Sequence, residues 1–315
     1  MYRIGVDLGG TNIVTGVVDE NYKIISKAET PTNMPRSAEE IFDDIARLCR
    51  EALTAAGISM AQVVSVGIGT PGSVNKDNGY IEYANNLAFH QIPAQEMLQA
   101  RLGKQVYLDN DANCAALGEA VAGAGNGVKN FVAVTLGTGV GSGIIVDGRL
   151  VVGGNFAAGE MGHHVIVHNG IPCNCGRKGC WEKYASATAL ITQTKAAMDA
   201  HKDSAMWTLA GGDINNVNGR TAFDGERQGD ASAHAVVETY IDYVACGVTN
   251  IVNTFQPDMV CIGGGISNEG ENLLGRVRAI VERDRYSKYA KKQTQVVKAV
   301  LGNHAGIIGA ALLDA

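Results

Sequence analysis

Asp7-Leu8-Gly9-Gly10-Thr11-Asn12 stands between two apolar runs, Arg3-Ile4-Gly5-Val6 before it and Ile13-Val14-Thr15-Gly16-Val17-Val18 after it. Short apolar runs of this length read as buried strands, and the glycine pair as the tight turn that joins them. The arrangement returns about 130 residues later, a period that marks a duplicated plan rather than a short repeat. There Phe131-Val132-Ala133-Val134 leads through Thr135-Leu136-Gly137-Thr138-Gly139-Val140-Gly141 into Ser142-Gly143-Ile144-Ile145-Val146, followed by the hairpin signal Asp147-Gly148. Two lobes built alike are therefore expected.

Beyond the first turn, Ser37 and Glu40 make a capping box ahead of Ile41, Ile45, Leu48, Ala52 and Leu53 at helical spacing, with Gly57 at the C′ position. Residues 62–68 read as a further strand, ending in Gly69-Thr70-Pro71-Gly72. Residues 105–108 read as another, ending in Asp109-Asn110-Asp111-Ala112-Asn113, from which an alanine-rich helix runs on. Residues 200–230 are polar and glycine-rich and read as an irregular excursion. A long helix over 231–255 precedes Pro257, a strand over 259–262 leads into Gly263-Gly264-Gly265-Ile266-Ser267, and a strand over 296–301 precedes a terminal helix from residue 304. Strands alternating with helices make this an α/β chain.

The 315 residues suit two domains of about 150 each. Hydrophobic residues at 46% against charged residues at 18% supply a large core and exclude wholesale disorder. Glycine is in excess, 40 of 315 residues or about 13% against a usual value of about 7%, with only six prolines and no Gly-X-Y period. Such glycines serve turns and close backbone approaches. A net charge of −6 argues against a nucleic-acid partner. No apolar run is long enough to span a membrane, and the opening residues lack a signal-peptide core, so a cytoplasmic protein is expected. Seven cysteines, three of them crowded into Cys173-x-Cys175-x4-Cys180, suggest a reducing compartment and a metal rather than a disulfide framework.

The two glycine/threonine turns suit phosphate, because their amides can point outward with no side chain in the way. Neither is a Walker A loop, since no Lys-Ser/Thr follows, and neither is a dinucleotide fingerprint, since a strand and not a helix comes next. A plain β-turn is the alternative for each one alone. Asp109-Asn110-Asp111-Ala112-Asn113 opens a helix with more capping residues than one cap needs. A carboxylate there can orient an attacking hydroxyl in phosphoryl transfer. Asp109 and Asp111, two apart on an extended strand, are rivals for that role. The three clustered cysteines with one histidine make a Cys3His tetrahedral zinc set, for which His163, His164 and His168 compete. Glu160 and Glu182 flank this module and could accept hydrogen bonds from a polyol, or be solvated.

These stretches together resemble the ROK family of sugar kinases and sugar-responsive repressors, and most closely its bacterial glucokinases. The resemblance covers nearly the whole chain. It rests on the Asp7–Asn12 turn, residues 136–143, residues 263–267, residues 110–113, and Gly159-Glu160-Met161-Gly162-His163 with Cys173-x-Cys175-Gly176-x-x-Gly179-Cys180-x-Glu182. It implies a two-lobed actin/hexokinase-like, ribonuclease H-like duplicated α/β fold with ATP and sugar in the interlobe cleft. The lobes would be residues 1–117, with a C-terminal helix over 302–315 packing back, and residues 118–301, carrying the zinc module 159–182. The implied activity is ATP-dependent phosphorylation of a hexose 6-hydroxyl, glucose foremost, with Asp111 as catalytic base. Gly72, Asn110, Asp111, Glu160, His163 and Glu182 would bind the sugar. Gly5, Asp7, Gly9, Gly10, Thr11, Asn12, Gly137, Thr138, Gly139, Gly141, Gly263, Gly264 and Gly265 would bind ATP, with Asp7 near the Mg2+. Structural Zn2+ would be held by His163, Cys173, Cys175 and Cys180. The implied assembly is a homo-oligomer, dimer or tetramer. Kinases for N-acetylmannosamine, fructose, mannose or allose, a polyphosphate donor, and a sugar-responsive regulator are the other readings, the last disfavoured by the strand that starts within the first residues. Trp181 stands where a leucine is more usual, and His164 adds a second histidine.

Overall fold

The computed structural model describes residues 1–314. The first sheet is made by β1 (Tyr2–Leu8), β2 (Asn12–Val18), β3 (Ile24–Pro31) and β4 (Val63–Thr70). A small antiparallel meander, β5 (Ser73–Asn75), β6 (Tyr80–Ala84) and β7 (Phe89–Ile92), intervenes before β8 (Val106–Asn110) completes that sheet in the order β3-β2-β1-β4-β8. β1 pairs antiparallel with β2 and parallel with β4, which pairs parallel with β8. The second sheet comprises β9 (Phe131–Leu136), β10 (Val140–Val146), β11 (Arg149–Leu150), β12 (Met259–Gly263) and β13 (Gln295–Lys298), in the order β11-β10-β9-β12-β13. Counted within each half, both sheets run third, second, first, fourth, fifth strand. The duplicated α/β plan expected from the two glycine turns is present.

The helices follow from their caps and stripes. α1 (Ala38–Ala56) begins at Ser37 with the reciprocal Ser37/Glu40 capping box and ends at Gly57 in the left-handed region, φ 68°. Its Ile41, Phe42, Ile45 and Leu48 are fully buried with Ile4, Val6, Leu8, Ile13 and Val17 of the sheet. α2 (Ala94–Leu102) and α3 (Asp111–Ala122) complete this half, with the terminal α10 (Ala305–Ala311) lying on α3 and β1. The expected terminal helix over 302–315 is thus realised over 305–311, and residue 315 lies outside the described residues. The second half holds α4 (Glu182–Ala185), α5 (Ala187–Ala200), α6 (Ala205–Leu209), α7 (Thr221–Arg227), α8 (Ala231–Phe255) and α9 (Glu271–Asp284). Residues 200–230, expected to be irregular, contain α6 and α7, because Met206, Ala222 and Phe223 are buried and the segment packs on α8. By packing, the chain forms two compact units, Met1–Ala133 with Gly143–Gly159 and Val300–Ala315, and Val134–Ser142 with Glu160–Ala299. α3 runs unbroken through residues 117 and 118 and stays with the first unit.

α10 reaches the first sheet at backbone distance. A Cβ on Gly5 of β1 would lie 1.8 Å from the Ile307 carbonyl oxygen, and one on Gly67 of β4 would lie 1.7 Å from that of Ala310. Gly5 and Gly67 are register partners, so they form one floor under the helix. A side chain there must displace backbone, and overpacking of this kind costs about 1–3 kcal/mol. Gly67→Ala should lower the unfolding free energy by that amount in urea titration, whereas Gly154→Ala, with nothing within 4 Å of its Cβ, should leave it unchanged.

Candidate active site and metal centre

In the first unit the β1–β2 turn is closed by the Gly9 N–H donating to the Asn12 carbonyl at 2.9 Å. The Thr32 hydroxyl donates to the Gly9 carbonyl at 2.7 Å, and Thr32 N–H to the Thr11 carbonyl at 2.7 Å. The turn is thereby tied from behind, while Gly10, Thr11 and Asn12 stay exposed as a phosphate cradle requires. Gly5 does not join it. It is buried under α10, and its lack of a side chain serves packing. Asp7, at the end of β1, is half-buried; burial first, and then the negative charge of Asp111, push its carboxyl up to about 6.

The β8–α3 junction sorts its carboxylates. Asp109 is buried, accepts from Asn110 N–H at 2.7 Å and from Asn113 Nδ2 at 2.9 Å, and is ion-paired with Lys76. Asn110 is the N-cap of α3, its Oδ1 accepting from Ala112 N–H at 2.9 Å and Asn113 N–H at 3.3 Å. Its Nδ2 donates to the Gly72 carbonyl at 3.0 Å. Gly72 has φ 89°, and a Cβ there would lie 1.9 Å from the Tyr83 carbonyl oxygen, so only glycine brings that carbonyl to Asn110. Asp111 opens the helix, accepts from its neighbour Ala112 N–H at 2.8 Å, and is raised in proton affinity by burial. Of the two rivals, Asp109 is consumed by internal partners and Asp111 is not.

In the second unit the turn after β9 is closed by Gly137 N–H donating to the Gly139 carbonyl at 3.0 Å. It is braced by the start of α5, where Ala187 N–H donates to the Gly137 carbonyl at 2.8 Å and the Thr188 hydroxyl to that of Thr138 at 2.8 Å. Thr138 is exposed, and Gly141 is half-buried on β10. A Cβ on Gly139 would lie 2.4 Å from Glu182 Oε2, so the bare turn leaves room for that carboxylate. At the end of β12, Gly264 has φ 84° and lies against the Leu136 carbonyl, where a Cβ would come within 2.4 Å. Gly263 ends the buried strand, and Gly265 has open space around it. The second glycine turn and the Gly263–Gly265 cluster therefore meet at the backbone of Leu136.

His163, Cys173, Cys175 and Cys180 present ligand atoms within 4.8 Å of one another. Cys175 Sγ and Cys180 Sγ are 3.5 Å apart, and Cys173 Sγ and His163 Nδ1 3.7 Å. A tetrahedral ion with thiolate bonds of about 2.3 Å has ligand separations of about 3.8 Å, so the set has the size of a closed structural metal site. All seven cysteines are free. Burial raises the Cys173 and Cys180 thiols, the reverse of what a cation at the centre would impose. Of the three competing histidines, His163 is the one in the cluster. The loop is shaped by Gly179, φ 83°, whose Cβ would lie 1.7 Å from the Val167 carbonyl oxygen. Cys173 Sγ donates to Glu182 Oε1 at 3.5 Å, and Glu160, exposed, precedes the short helical turn Met161–His163. Sequence reasoning missed what anchors this module. Trp181 is buried, donates Nε1 to the Tyr243 carbonyl at 2.8 Å, and fits because α8 has Gly247, whose Cβ would fall 2.0 Å from the ring.

Residues 3–315 match the sequence profile of the ROK family. The chain belongs to the ROK family. It is 38% identical over 309 residues to the glucokinase of Thermotoga maritima, covering 98% of this chain and 95% of that one. It is also 38% identical to the Streptomyces coelicolor glucokinase over 98% of this chain and 96% of the other. The crystal structure of the ROK family glucokinase of Streptomyces griseus, in complex with glucose and AMPPNP, superposes with a TM-score of 0.85 at 36% identity, covering 99% of both chains. This ROK chain has the same two-lobed actin-like α/β fold.

The raised Asp7 carboxyl has a thermodynamic consequence. A carboxylate whose folded pKa exceeds its unfolded value weakens the fold as pH rises from about 4 to about 6, and the cost is complete above that window. Asp7→Asn should therefore raise the unfolding free energy at pH 7.5, without nucleotide or magnesium, by on the order of 2 kcal/mol. The gain should fade as urea titrations are repeated down to pH 4. An equal gain at both pH values would show that charge is not its cause.

Proposed function

We propose that the protein transfers the γ-phosphoryl group of ATP to the 6-hydroxyl of D-glucose. The observation that carries this reading is the likeness, over nearly the full length of both chains, to an enzyme whose crystal structure holds glucose and a nucleotide. The side chains support it. Asp111 takes the hydroxyl proton as the oxygen–phosphorus bond forms and the bond to the ADP oxygen breaks. Its burial-raised proton affinity suits a base that must accept a proton near neutrality. Asn110, oriented by the Gly72 carbonyl, holds a sugar hydroxyl, with Glu160, His163 and Glu182 as further sugar ligands. The Gly9–Asn12 and Gly137–Gly141 turns offer backbone amides to phosphate, and Gly263–Gly265 lies with the adenosine. Asp7 would face the magnesium of MgATP, which supplies charge neutralisation at the phosphates and would relieve the like-charge strain between Asp7 and Asp111.

The Cys3His cluster would hold zinc. Its role is to fix the loop that carries His163 and Glu182, since a metal clip orients its neighbours as well as its ligands. No acid–base step passes through it. Among the described residues no helix is long and apolar enough to cross a membrane.

Two measurements test this reading. Asp111→Asn keeps the shape and removes the accepting charge, so turnover with glucose and ATP should fall by roughly 10²–10⁴, while glucose affinity by calorimetry changes far less. Near-normal turnover in that variant would remove Asp111 from the mechanism. Protein purified without added metal should contain about one zinc per chain, and Cys175→Ser should lose the metal together with thermal stability and glucose affinity. A metal-free, fully active and equally stable protein would dismiss the zinc clip.

A further inference from the structure

Asp109 is the one carboxylate of the β8–α3 junction that the proposed chemistry does not use, yet it is the most deeply placed. Its side chain is 3% exposed. One oxygen accepts from the backbone N–H of Asn110 and from the side-chain amide of Asn113, on the first turn of α3. The other faces Lys76, which comes from the turn between β5 and β6 and is itself only 34% exposed. The same hairpin follows Gly72, whose carbonyl holds Asn110. Asn110 and Asp111 are therefore held from two directions. The backbone is pinned by Asp109, and the Asn110 side chain by Gly72, while Lys76 ties the hairpin to the strand end from which both project.

A buried ion pair made only for stability could be replaced by apolar groups at little cost, but removing one member leaves an uncompensated charge. Here that uncompensated charge would lie two residues from Asp111. We propose that the Lys76–Asp109 pair is a positioning device for phosphoryl transfer. Asp109 sets the orientation of Asn110 and Asp111, and Lys76 neutralises Asp109 so that its charge is not added to that of Asp7 beside the base. Neither residue touches the reacting atoms. The inference rests on Asp111 being the base.

Four variants test it: Lys76→Met, Lys76→Arg, Asp109→Asn and the double variant Lys76→Met/Asp109→Asn. Turnover of glucose and ATP by the unmodified enzyme is measured first, and its absence would overturn the proposed function itself. With that activity in hand, Lys76→Met should lower kcat by about tenfold or more, the scale of coupling within one hydrogen-bonded charge network. The KM for ATP should stay unchanged, since the β1–β2 turn does not depend on the pair. Lys76→Arg should retain most of the activity. The decisive term is the double variant, which removes both charges together and should recover kcat relative to Lys76→Met alone. Asp109→Asn keeps the shape and an acceptor oxygen, so it should fold even where Lys76→Met is weakened. If kcat stayed within twofold of the unmodified enzyme in both single variants while only thermal stability fell, the pair would be structural and the proposal wrong. Strictly additive losses of kcat in the double variant would overturn it as well.

Discussion

The first unit depends on a helix lying at backbone distance on a sheet. α10 rests on Gly5 and Gly67, and its own Gly309 meets the Cys114 carbonyl of α3, where a Cβ would fall 1.7 Å from the oxygen. No side chain fits in these gaps, so β1, β4, α3 and α10 hold one another at fixed separation. That matters because β1 carries Asp7 next to its last residue and α3 begins at Asp111. Their mutual charge effect is a consequence of two elements being packed this closely. Glu119 adds a second tie. Buried on α3, it accepts backbone N–H groups from Ala124 at 3.0 Å, Val300 at 3.2 Å and Leu301 at 2.7 Å, and so brings the last chain segment back to the helix.

Three carboxylates at one end of that sheet show how environment divides labour among like groups. Asp109 is neutralised by Lys76 at one oxygen and accepts two amide N–H groups at the other, Asp111 is half-buried and accepts from the Ala112 N–H, and Asp7 is half-buried with its carboxyl pushed up to about 6. A low-dielectric site that holds two ionised groups without a counter-charge pushes up their proton affinities, and a cation at the site would reverse this. The arrangement is costly for the folded protein by itself and useful to one that binds a magnesium–nucleotide complex.

The second unit solves a different problem, that of giving a loop with little secondary structure a definite shape. Between Glu160 and Glu182 there is one short helical turn and two isolated bridges. The loop is instead defined by a cluster of sulfur and imidazole groups, by left-handed Gly176 and Gly179, and by the Trp181 ring seated against Gly247. Glu182 follows directly on Cys180 and Trp181, so whatever holds the cluster also holds that carboxylate.

Much of this could be read from the chain alone. The capping box of α1, the extent of α8, the paired glycine turns and the Cys3His spacing depend on neighbours in sequence, and local chemistry suffices for them. The meander β5–β7 was not legible, because its strands are short and pair only with each other. Nor were β3, which alternates between half-buried and exposed residues, and the two helices within residues 200–230, of which α7 packs on α8 and α6 on α7. Strand periodicity alone left Asp109 and Asp111 on equal terms, while the family resemblance favoured Asp111. What occupies Asp109 is visible only in the tertiary structure, because its partner is a lysine 33 positions earlier in the chain, delivered by a hairpin. The resemblance put Gly5 among the ATP-binding residues, and the fold packs it against α10, some 300 residues away. Local spacing determines which chemistry a segment can perform. Which of several equivalent groups performs it is decided by what distant segments bury, pair or leave open.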